Sequence, residues 1–164
     1  MADEQMKNDI VLNGDGTATW TLDMEGKIHG TYRGTFVFRC FLTPTQTIAA
    51  GRELRELLGT DPDTAPKLES YMAFSLTQLK QRIIKAPPFW ASTLQQSTYQ
   101  GDIPDEEVID AVLNAAVNAE LKYKEQLQKK RADILARAKD TAESLLEKQE
   151  EDLQREDKNK EDTH

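Results

Sequence analysis

Residues 17–42 read TATWTLDMEGKIHGTYRGTFVFRCFL, and the alternation within this stretch decides the fold class. Ala18, Trp20 and Leu22 alternate with Thr17, Thr19 and Thr21. A repeat of two residues marks a strand with one buried face. Glu25-Gly26 supplies a turn, after which Tyr32, Phe36, Phe38, Cys40 and Leu42 share one parity with Gly34. Arg33, Thr35, Val37 and Arg39 take the opposite face. Gly30 and Gly34 predict a bend or bulge in this long strand. Upstream, Asn13-Gly14-Asp15-Gly16 is a turn cluster, because Gly and Asn reach positive φ at low cost. Residues 9–42 therefore read as a three-stranded antiparallel meander.

The period then changes. In LTPTQTIAAGRELRELLG (42–59), Thr43 is an N-cap, Pro44 suits the first helical position, and Gln46 completes a capping box. Ala50, Leu54, Leu57 and Leu58 recur at helical spacing, and Gly59 stops the helix. After the loop TDPDTAP, a second helix is expected from Pro66 to Ala86, with Leu68, Met72, Leu76, Leu79 and Ile83 as its apolar stripe. A third helix opens at GDIPDEEV, where Asp102 caps it. Asp105, Glu106 and Glu107 complement its positive end. Neither Pro nor Gly occurs after Pro104. Leu127 and Ile134 share one heptad position, and Ala138 and Leu145 another. Arg131, Thr141 and Lys148 interrupt both series, so the coiled-coil pattern is weak.

The fold class expected is α+β: a three-stranded antiparallel meander packed on two helices, followed by a long C-terminal helix. The expected boundaries are a flexible N-terminus at 1–8, a compact domain at 9–101, a long amphipathic to polar helix at 102–153, and a disordered charged tail at 154–164.

KAPPFW (85–90) poses the main question about function. Pro87 must end the second helix. Phe89 and Trp90 follow at once, in a chain with two tryptophans. They either close the core or anchor another subunit, since Trp is enriched at interface hot spots. As anchors, they predict that Trp90→Ala weakens assembly while the monomer stays folded. Arg33, Arg39, Arg52 and Arg55 are the candidate charge partners, because a guanidinium can grip both oxygens of a carboxylate.

Charge is unevenly distributed within a net −8. Residues 1–26 carry −5, residues 27–101 carry +4, and residues 102–164 carry −7. The middle block suits an acidic protein surface. Overall acidity argues against nucleic acid. No run approaches the roughly 20 apolar residues of a membrane helix, and MADEQMKND has no signal-peptide pattern. The single cysteine, Cys40, excludes an intramolecular disulfide and a multi-cysteine zinc site. His29 and His164 have no metal-ligand spacing to each other or to Cys40. NGDG is no calcium loop: with Gly16 as the sixth position, Val11 and Leu22 stand where acids are required. No phosphate-binding loop, dinucleotide fingerprint or nucleophile elbow occurs, and the helical carboxylates alternate with lysines. These readings imply no catalytic residue, no cofactor and no metal.

The order of GTYRGTFVFRCFL, LTPTQTIAAGRELRELLG, KAPPFW and GDIPDEEVIDAVL resembles small proteins from the structural-gene modules of tailed bacteriophages. The resemblance covers about residues 26–125. It implies a non-enzymatic virion structural protein, made in the host cytoplasm, that docks on other capsid or tail subunits or on copies of itself. A tail-assembly chaperone, which holds the tape-measure protein and leaves before the particle matures, is the alternative. The meander favours the virion component over a mainly helical chaperone. A binding regulator acting through the C-terminal helix is the second alternative.

Overall fold

The computed structural model describes residues 9–91, 103 and 105–161. Its elements are β1 (Val11–Leu12), β2 (Thr17–Glu25), β3 (Thr31–Arg39), α1 (Pro44–Leu58), α2 (Lys67–Arg82), β4 (Ile83–Lys85), α3 (Pro88–Ala91) and α4 (Glu106–Glu161). The expected flexible segment 1–8, the Asp102 cap with Pro104, and the last residues of the expected tail lie outside the described residues.

The fold is α+β. β2 and β3 pair antiparallel from Thr17↔Arg39 to Glu25↔Thr31, as the alternation requires. Their turn closes through a 2.7 Å hydrogen bond from Gly26 N to Gly30 O. Gly30 sits at φ +64°, where a side chain would be strained. β1 pairs with β2 through Val11↔Thr19 and Leu12↔Ala18.

Two expectations need correction. Among the described residues the sheet has four strands, in the order β1-β2-β3-β4, not three. The helix expected to reach Ala86 ends at Arg82. Both changes come from Ile83-Ile84-Lys85. Pro87 and Pro88 forbid helix ahead of them, and β-branched isoleucines fit a pleated strand. Ile83 accordingly takes an extended backbone, φ −74° and ψ 120°. The three residues then join the edge of β3, with Val37↔Lys85, Phe38↔Ile83 and a register irregularity between them.

α1 forms as its sequence dictates. Thr43 Oγ1 accepts from Gln46 N at 3.3 Å, and Thr43 N donates to Gln46 Oε1 at 2.9 Å. Gly59 ends the helix at φ +64°. Only Ala50 of α1 is buried. The core instead joins the inner sheet face to Leu79 of α2, Trp90 of α3 and the start of α4. Trp20, Phe36 and Phe38 line the sheet side, and Val108, Val112, Ala115, Ala116 and Ala119 the helix side. Ion pairs tie the helices: Lys80 Nζ to Glu53 Oε1 (3.0 Å) links α2 to α1, and Arg82 Nη2 to Glu120 Oε2 (2.8 Å) links α2 to α4.

Contacts divide the chain into two compact units, Met1–Tyr123 and Lys124–His164. The first unit includes the opening turns of α4, whose apolar face is buried, and so extends past the boundary expected at residue 101. In the second unit the chain remains helical to Glu161, beyond the end expected at 153.

Gly34 explains how the KAPPFW stretch reaches the sheet. It faces Leu22 across the β2–β3 ladder, and a Cβ there would lie 2.2 Å from Pro87 Cβ. Gly34→Ala must displace Pro87 and is expected to cost about 1–3 kcal/mol, read from urea denaturation. Gly51→Ala in α1, with nothing within 4 Å of the new Cβ, should move the midpoint the other way by roughly 0.5–1 kcal/mol.

Candidate interaction surface

Pairing of β2 with β3 leaves a second sheet face composed of Thr17, Thr19, Thr21 and Asp23 opposite Arg39, Val37, Thr35 and Arg33. Its hydroxyls and charges meet side by side. Thr21 Oγ1 and Thr35 Oγ1 are 3.1 Å apart, and Asn13 Nδ2 donates to both Thr17 Oγ1 and Thr19 Oγ1 at 3.0 Å. Arg33 Nη2 lies 3.0 Å from Asp23 Oδ2, with both side chains more than half exposed. An ion pair this wet adds little to stability. Arg39 Nε donates to the carbonyl of Gln81 at 3.3 Å. Arg39 also lines a cleft of 240 Å³ with Asp15, Gly16, Thr17, Phe41, Thr43 and Gln46. Hydrogen bonds from the Thr17 hydroxyl and backbone hold the Asp15 carboxyl below its ordinary pKa.

The other sequence-predicted residues divide into two groups. Arg52 and Arg55 are exposed on α1. Trp90 is 0% exposed, and its ring meets Phe36 edge-on with centroids 5.4 Å apart. Phe89 is half-buried and packs edge-on against Tyr32 and Phe36. Trp90 therefore lies in the core in this conformation, which is the first of the two places the sequence left open for it. The reason is local: Pro87 seats against Gly34, so the next turn lands on the aromatic layer.

The arrangement that the sequence did not reveal centres on Asp105. Its carboxylate is 1% exposed and accepts hydrogen bonds from the β2–β3 hairpin. Ile28 N donates to Oδ1 at 2.7 Å, while His29 N and Tyr32 Oη donate to Oδ2 at 3.0 and 2.9 Å. Burial pushes its pKa up, but the hydrogen bonds from Ile28, Tyr32, His29 and Lys27 prevail and hold it below the ordinary 3.8. Tyr32 is shifted up, by burial first and by Asp105 second. Gly26 makes room for this lock, since a Cβ there would come 2.3 Å from Asp105 Oδ2. A cleft of 380 Å³ beside it is lined by Lys27, Ile28, Asp105, Glu106, Glu107 and Asp110. Lys27 pairs with Glu107 across that cleft.

Burial raises the Cys40 thiol to about 11, so it stays protonated at neutral pH. Among the described residues, no group of three or more His, Cys, Asp or Glu side chains is placed to hold a metal ion. No helix of the described residues is long and apolar enough to cross a membrane. No family model, curated protein or solved structure matches the chain.

Proposed function

We propose that this chain is a non-enzymatic assembly protein, a virion component of a tailed bacteriophage that docks on other capsid or tail subunits through its α+β domain. The phage assignment follows from the order of sequence segments. The observation that carries docking is the outer β2–β3 face, where a threonine ladder is flanked by the exposed Arg33 and Arg39. A hydrogen-bonding face with two guanidinium groups suits a carboxylate-bearing protein surface. It suits the catalytic alternative poorly, because its charged groups are wet.

The test is the double variant Arg33→Glu, Arg39→Glu, supplied as the only copy during infection. Both side chains are exposed, so stability should change by no more than about 1 kcal/mol. Incorporation into purified particles should fall by roughly tenfold or more, since the contact turns repulsive. Normal incorporation of a folded variant would overturn docking through this face.

A further inference from the structure

The second unit of α4 carries an apolar face made of four pairs: Leu127 with Leu153, Ile134 with Leu146, Leu135 with Leu145, and Ala138 with Ala142. At 3.6 residues per turn these eight side chains fall within an arc of roughly 120°. Ala132 and Ala136 lie off it. Ile134, Leu135, Leu145, Leu146 and Leu153 are each between 59% and 66% exposed. Leucines and isoleucines so regularly placed on one side of a polar helix leave apolar area that association would bury.

The spacing of these residues identifies the occupant. Both members of every pair are equally distant from Asp140. A two-fold axis lying between two antiparallel copies, at the level of Asp140, therefore sets each apolar residue level with an apolar residue of the second copy. Such self-complementarity is what an isologous interface requires. The charges obey the same centre. Residues 124–139 hold six bases against two acids, and residues 140–155 hold six acids against two bases. Antiparallel copies bring the basic half of each over the acidic half of the other, while parallel copies stack like on like. Lys129 comes level with Glu151, Lys130 with Glu150, and Arg137 with Glu143. Against them stand Asp133 with Glu147, and Asp140 with itself, all on the side away from the apolar arc.

We infer that the α4 face from Leu127 to Leu153 is a self-association surface, filled by the same face of a second antiparallel copy centred on Asp140. This goes beyond the docking role and does not depend on it. Lys130 with Glu150 and Arg137 with Glu143 flank the seam, whereas Lys129 and Glu151 lie on the far side with Asp133 and Glu147. The flanking charges act as a field, so salt weakens it, screening being strong beyond about 10 Å at 0.1 M.

Sedimentation of the full chain between about 1 and 100 µM tests the inference. The expected result is a dimer that weakens as salt rises. Leu135→Glu should weaken it by roughly tenfold or more while circular dichroism stays unchanged, since Leu135 is exposed in the monomer. Adding Leu145→Lys to the same chain should restore much of the affinity, because Glu then meets Lys twice in antiparallel copies. Mixing Leu135→Cys and Leu145→Cys chains should give the mixed disulfide; Cys40 is buried and stays out of the exchange. A chain that stays monomeric at about 100 µM overturns the proposal, and one that is then found with a different protein on this face assigns the face to that protein. A dimer indifferent to Leu135→Glu, or disulfides formed only within each variant, also overturns it.

Discussion

Trp90→Ala is expected to destabilise the α+β unit by about 3–5 kcal/mol, the range for removing a large buried aromatic. Trp90 is 0% exposed and stands edge-on to Phe36, itself fully buried and in contact with both Trp20 and Phe38. Removing the indole leaves a void beside rings that are fixed in β2 and β3 and cannot follow it. A total stability of roughly 5–15 kcal/mol makes this a large share. Urea denaturation and near-ultraviolet circular dichroism would measure it. Phe89→Ala should cost less, because Phe89 is half-buried. A folded Trp90→Ala monomer of near-native stability, defective only in assembly, would return Trp90 to the role of partner anchor.

Asp105→Asn is the second large expected effect, and it depends on pH. Ile28 N, His29 N and Tyr32 Oη all donate to the carboxylate. An asparagine presents one acceptor and one NH₂ donor, so at least one hairpin donor meets another donor in a dry site. The melting temperature at neutral pH should fall on the order of 10 °C. The pH dependence follows from the depressed folded-state pKa of Asp105. Protons bind the unfolded chain first, so this contribution is complete above the ordinary value of 3.8 and is lost as pH falls through the lower folded value. Thermal melts of the native chain and the variant should therefore converge on acidification from about pH 5 downward. Curves that stay parallel to the acid limit would mean that Asp105 does not hold the hairpin.

What the sequence made legible was local. The alternation of Trp20 and Leu22 with threonines needs only neighbouring residues, and so does the Thr43–Gln46 capping box. Both are in the structure. β4 was hidden because Ile83 stands four residues after Leu79 and continues a helical stripe. Its strand state comes from β3 and from two prolines downstream. Asp105 was hidden for a related reason. In DEE it looks like a helix-start acid, whereas its hydrogen-bond partners lie 73 to 77 residues earlier. Trp90 left two roles open in sequence, and its burial in the core depends on the seat of Pro87 on Gly34, which local sequence does not show. The arginines were placed on surfaces correctly by parity, since Arg33 and Arg39 follow the alternation that buries Phe36 and Phe38.

The most direct test of the assembly role is to count the protein in mature particles. Quantitative mass spectrometry of virions purified from infected cells should find many copies per particle, in a number set by the symmetry of a capsid lattice or a tail ring. Particles without it, from lysates that contain it, would contradict a virion component and leave the tail-assembly chaperone or the helix-directed regulator.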